Sequence, residues 1–117
     1  MARNELLAGG FLVASGSDYP PGLFELMLML QSIVTRVAST GQIWDASQRI
    51  TIGEAIRVST LHGAYASFEE KLKASLEPGK LAVLVVLGDN PEIREPGALM
   101  GIPIERTMVG GKWVFQA

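Results

Sequence analysis

The apolar positions of this chain change period along its length, and each change marks an element. Phe11 to Ala14 is an unbroken apolar run flanked by glycines and small residues, which predicts a short buried strand. The run breaks into Ser15-Gly16-Ser17-Asp18-Tyr19-Pro20-Pro21 and so delivers a lone carboxylate, Asp18, at its C-terminal edge. Two prolines then stop the strand and can open a helix, where a missing N–H costs little. From Gly22 to Val37 the period becomes helical, with Leu23, Leu26, Met27, Leu30, Ile33, Val34 and Val37 on one face. Phe24, Leu28 and Met29 add apolar surface on the other sides. The first half of this helix is therefore expected to be covered nearly all round, which suits a helix packed under something larger than this chain.

Ser39-Thr40-Gly41 ends that helix, and Gln42 to Arg49 reads as a connection. Thr51-Ile52-Gly53-Glu54 matches a capping box, in which Thr51 and Glu54 satisfy each other's free backbone N–H groups. The helix it starts, about Ile52 to Phe68, carries Ala55, Ile56, Ser59, Gly63 and Ala66 on one side. Small residues at that spacing predict a face closely approached by a neighbour. Glu77-Pro78-Gly79-Lys80 then places proline and glycine at the centre of a type II turn. Leu81 to Leu87 is continuously apolar and valine-rich, so it predicts a strand buried on both faces. Gly88-Asp89-Asn90-Pro91 and Glu95-Pro96-Gly97 punctuate a loop. Pro103 to Val109 and Lys112 to Phe115 form two further strands, joined by Gly110-Gly111 as a two-residue hairpin turn.

Composition narrows the function without naming it. The 117 residues, 48% apolar and 19% charged, suffice for a modest globular core. A formal net charge of −2 supplies no basic footprint for nucleic acid and no polybasic patch for a membrane. With no cysteine there is no disulfide, thiolate nucleophile or Cys-type zinc site. Arg3 and Glu5 follow Met1 without an apolar h-region. The longest apolar span, Leu23 to Leu30, is far short of the roughly 20 residues that cross a bilayer. A soluble, cytoplasmic protein is expected.

Three segments, in order, resemble the end of the amidohydrolase superfamily, in particular its subgroup of broad-specificity amide and cyclic-amide hydrolases. They are Gly16-Ser17-Asp18-Tyr19-Pro20, then Thr51 to Ile56 running on to Thr60 and Gly63-Ala64-Tyr65-Ala66, then Ser75 to Ala82 followed by Leu84 to Leu87 and closed by Thr107-Met108-Val109-Gly110-Gly111-Lys112. Together they span about Gly9 to Phe115. The resemblance implies an α+β arrangement: the last strand and helices of a (β/α)8 barrel in residues 1–72, then the C-terminal antiparallel part of a β-sandwich in residues 73–117. Phe11 to Ser17 would be the eighth barrel strand and Asp18 the carboxylate at its mouth, where such barrels carry their catalytic groups. One departure is Val83, where the family usually has an aspartate.

The same resemblance implies hydrolysis of a non-peptide C–N bond by a hydroxide held on zinc or another divalent metal, with Asp18 as metal ligand and general base. A catalytic zinc needs about three protein ligands, and the family takes the others from strands this chain lacks. The expectation is therefore that the chain alone binds no metal and is inactive. Read without the resemblance, Asp18 is equally a turn or N-cap aspartate. The single histidine, His62, falls inside the second predicted helix and reads as a helix histidine near the surface. Ser17 has no histidine base placed to activate it and reads as a small residue at the strand end. Met27 and Met29 read as core, and Glu69, Glu70, Lys71 and Lys73 as a solvated helix end. A lone barrel strand has open edges, so a homo-oligomer or a complementing chain is expected as partner, with a small-molecule substrate only once the barrel is completed. The competing reading is a non-catalytic interaction module whose contact surface is the apolar helix at Leu23 to Leu30.

Overall fold

The protein is described here by a computed structural model covering residues 3–19 and 25–117. Four short helices precede a three-stranded sheet: α1 (Arg3–Ala8), α2 (Leu26–Thr35), α3 (Ile52–Ser59), α4 (Leu61–Ala66), β1 (Leu84–Leu87), β2 (Ile104–Val109) and β3 (Lys112–Gln116). Two 3-10 segments, Ala46–Gln48 and Pro96–Gly101, complete the regular structure. The architecture is α+β, and no helix among the described residues is long and apolar enough to cross a membrane.

The core is built where the helical period predicted it. Met27, Leu30 and Ile33 of α2 meet Ala55 and Val58 of α3, with Ile50 beneath them. Leu99 and Ile102 close the cluster from the far end of the chain. The loop read between Gly88 and Pro103 thus folds back onto α2, and the Met100 N–H donates to the Gln31 side-chain oxygen at 2.8 Å. α2 itself ends at Thr35, two residues before the predicted boundary. Arg36 takes a left-handed conformation (φ 59°), returns its N–H to the Ser32 carbonyl, and donates from Nε to the Trp44 carbonyl at 3.0 Å. The predicted start of this helix, with Pro20, Pro21, Gly22, Leu23 and Phe24, lies outside the described residues.

The capping box forms as predicted: the Glu54 N–H donates to the Thr51 hydroxyl and the Thr51 N–H to the Glu54 carboxylate at 2.8 Å. The helix behind it is not continuous to Phe68. It breaks at Thr60 (φ −127°, ψ −87°). The Thr60 hydroxyl donates to the Ile56 carbonyl at 2.7 Å, and the Thr60 N–H goes to Arg57 instead. Such back-bonding by a threonine takes an acceptor out of the helical ladder and bends it. The small-residue face is only partly covered: Ala55 is buried, while Ala66 is exposed and Gly63 faces open space.

The sheet runs β1-β2-β3, antiparallel throughout, with Val85 opposite Thr107 and Thr107 opposite Phe115. Gly110 and Gly111 both take positive φ between the paired Val109 and Lys112, the turn their sequence predicted. The turn at Glu77–Lys80 also forms, with Gly79 at φ 91° and the Lys80 N–H on the Glu77 carbonyl. Two strand expectations need correction. Leu81–Leu87 shortens to Leu84–Leu87 and is half-buried rather than covered on both faces, with Val83 37% and Val85 42% exposed. Phe11–Ser17 forms no strand; Phe11 is 63% and Leu12 52% exposed, and only Val13 is buried. A parallel strand draws its hydrogen bonds from neighbours on either side, and no neighbouring parallel strand exists among the described residues.

Candidate functional site

Asp18 stands at the end of the Phe11–Ser17 segment, which hydrogen bonds fix to the helices, among them the Phe11 N–H to the Leu6 carbonyl of α1 at 3.0 Å. The Ser15 N–H donates to the Val58 carbonyl at 3.3 Å. The Arg3 guanidinium donates from Nη2 to the Ser15 hydroxyl at 3.1 Å. His62 Nδ1 lies 2.9 Å from the Val13 carbonyl. A carbonyl only accepts, so Nδ1 carries the proton in this contact. His62 is thus a half-buried tie between α4 and the segment bearing Asp18, a role that its helical position alone did not indicate. Arg3 is partly buried, which lowers its pKa, and the neighbouring charge of Arg36 lowers it further.

Asp18 itself is exposed and takes φ 55°, a left-handed conformation that aspartate tolerates better than most residues. Ser17 is half-buried beside it. Among the described residues no three His, Cys, Asp or Glu side chains gather where they could hold a metal ion. The acidic and basic residues after α4 are mostly engaged with one another. Lys73 pairs with Glu69 at 2.7 Å, and Lys80 bridges the Glu70 carbonyl, the Ser75 hydroxyl and Glu77. The Lys73 hydrogen bond, with help from Ser67, holds the Glu69 carboxyl below the ordinary carboxylate range; Lys80 and Ser75 do the same for Glu77.

A concavity lies elsewhere. A cavity of about 660 Å³ separates the helices from the sheet. Leu26, Leu30 and Ile56 form one wall, and Val83, Val85 and Leu87 the other. Neither Asp18 nor His62 lines it. Ser59 does, and its hydroxyl is buried without a hydrogen-bond partner. Sequence reasoning missed this space. Its signal was present in the small face of α3 and the apolar run at β1, both read there as already covered.

Comparison with known proteins gives this geometry a context. The sequence profile of the Amidohydrolase family matches residues 1–115. An N-substituted formamide deformylase of Arthrobacter pascens is 31% identical over 106 residues, covering 91% of this chain and 20% of that protein. A Bacillus subtilis protein described as an amidohydrolase, YtcJ, is 30% identical over 98% of this chain and 22% of its own length. The crystal structure of an amidohydrolase from Thermotoga maritima shares the fold at a TM-score of 0.67 and 24% identity, over 97% of this chain and 25% of that one. The chain thus spans about a fifth of the length of the curated relatives it matches.

Proposed function

The chain belongs to the amidohydrolase family, and we propose that it supplies the C-terminal portion of a metal-dependent hydrolase of non-peptide C–N bonds. The match to the family profile over residues 1–115 carries this reading. The formamide deformylase among its relatives acts, by its name, on a C–N bond of this kind. In that reading the Phe11–Ser17 segment becomes the last strand of a (β/α)8 barrel, and β1 to β3 the C-terminal share of a sandwich. Pairing with neighbouring strands would supply the ladder that the segment lacks here.

Asp18 contributes one carboxylate to the mouth of that barrel. An exposed carboxylate on a short polar tether can accept a proton or offer one oxygen to a divalent metal. It does not make a centre alone, since a catalytic zinc takes about three protein ligands and the described residues bring no such group together. The residues present do not fit a complete metal site, so metal binding and turnover belong to the assembled protein. The zinc content of the purified chain tests this: near zero, with no amide hydrolysis, is expected. One metal per chain or per dimer would overturn the reading of Asp18 as a single contributed ligand.

The interaction-module reading has its own support in the open cavity between helices and sheet. It differs in one outcome. A module without catalytic descent would tolerate Asp18→Asn in the assembled protein with no loss of hydrolysis. The amidohydrolase reading expects a loss of at least a hundredfold, the low end of what a positioned general base contributes.

A further inference from the structure

The apolar pattern of the segment that carries Asp18 does not fix its own register. Phe11, Leu12, Val13 and Ala14 follow one another without a polar residue, yet Val13 alone of the four is buried. Alternation of apolar and polar positions is what specifies register along an extended chain, and an unbroken run lacks it. A slip of one residue would carry Asp18 about 3.3 Å along the segment and turn its side chain to the opposite face.

Two side chains supply the missing mark. His62 of α4 donates from Nδ1 to the Val13 carbonyl at 2.9 Å, and Arg3 of α1 donates to the Ser15 hydroxyl at 3.1 Å. These ties differ in kind from the two made by the segment's own backbone. The Phe11 and Ser15 N–H groups go to the Leu6 and Val58 carbonyls. Each carries a single proton, which a neighbouring strand would claim for its ladder. The Val13 carbonyl has two lone pairs, and the Ser15 hydroxyl lies off the backbone. The bonds to His62 and Arg3 are therefore compatible with a paired strand as well as with the segment as it stands.

We propose that His62 is a positioning residue for Asp18: through the Val13 carbonyl it locks the register of the segment, with Arg3 as the second anchor. The inference rests on the family reading above and adds the residue that sets where its carboxylate stands. His62 touches no reacting atom. Its effect comes from geometry, since a misplacement of about 1 Å costs on the order of a hundredfold in rate.

The test compares His62→Asn with His62→Gln. Asparagine returns an amide N–H close to the place of Nδ1, whereas glutamine carries it one bond further out. In the 117-residue chain, amide correlation spectra should show Ser17 and Asp18 near their original positions in His62→Asn and displaced in His62→Gln. Circular dichroism of each variant confirms that it is folded. In the assembled protein, with an N-alkylformamide as substrate, His62→Gln should lower kcat at least tenfold and leave KM unchanged, within what such a misplacement costs. His62→Asn should restore most of that loss. Spectra in which Ser17 and Asp18 ignore His62→Gln overturn the positioning role. So does a kcat that falls equally in both variants, because lost packing would then be the cause. Hydrolysis indifferent to Asp18→Asn, or absent from the unaltered assembled protein, overturns the family reading instead, and the spectra still decide whether His62 sets the register.

Discussion

Phe68 holds φ at 59° with its ring 91% exposed. It sits at the end of α4, where the Phe68 N–H returns to the Tyr65 carbonyl and the Glu69 N–H to the Ala64 carbonyl. That is a Schellman closure, and its left-handed position is normally glycine. An L-residue there costs roughly 1–2 kcal/mol, and an exposed ring recovers little by burial. Phe68→Gly is therefore expected to stabilise the chain by about 1 kcal/mol, seen as a rise of several degrees in thermal melting. Charge at this scale gives a second expectation. Glu69, Glu77 and Asp89 all have carboxyls held below the ordinary range, Asp89 by the Asn90 N–H and then by Arg94. The unfolded chain binds protons first, so this stability is present above the ordinary carboxylate range and is lost as pH falls through the lowered folded values. Melting temperature should fall on acidification in that window, and Glu69→Gln with Glu77→Gln should make the fall shallower. The Thr51–Glu54 box was legible in sequence because its partners are three residues apart. Phe68 was not, since nothing in its residue type announces positive φ.

At the scale of elements, the Pro96–Gly101 segment carries more of the core than its sequence suggested. Leu99 is 1% exposed and packs with α2, although glycine and proline on both sides mark a loop. Leu99→Ala is expected to cost about 2–5 kcal/mol, read by urea denaturation; a loss under 1 kcal/mol would contradict the packing. This element was illegible because its partner, α2, lies some 70 residues away and periodicity sees only neighbours. The hairpin at Gly110-Gly111 was legible for the opposite reason: its geometry is set within four residues. The helix from Ile52 was legible in its start and its face, but not in its break, which depends on which acceptor the Thr60 hydroxyl chooses. Phe11–Ser17 fails as a strand for want of partners rather than for want of pattern. The site followed the same rule: Asp18 could be picked from its motif, whereas the tie from His62 to Val13 joins residues 49 apart.

For the whole molecule, the outer strands of the three-stranded sheet leave open edges, and β3 exposes Trp113, Val114 and Phe115 together. Exposed apolar edge strands invite pairing between chains. We propose that the chain in isolation self-associates through this edge. Light scattering should show a mass above the monomer that rises with concentration, and Val114→Lys should shift it towards monomer. A monodisperse monomer at high concentration would end this proposal. The sequence indicated uncovered surface, but placed it on the helix at Leu23 to Leu30. Met27 and Leu30 of that helix lie in the core, while its Leu23 and Phe24 lie outside the described residues.

Among the described residues the core cluster contains methionine, leucine, isoleucine, valine and alanine, and no aromatic ring. Trp44 and Trp113 are both exposed, the latter beneath the Arg106 guanidinium at 5.5 Å from its ring centre. Intrinsic fluorescence will therefore report on the Arg36–Trp44 loop and on the hairpin, while the aliphatic interior can loosen without an optical trace. A flat emission signal during heating would describe the hairpin, and only exchange of the amide protons in α2 and α3 would follow the interior.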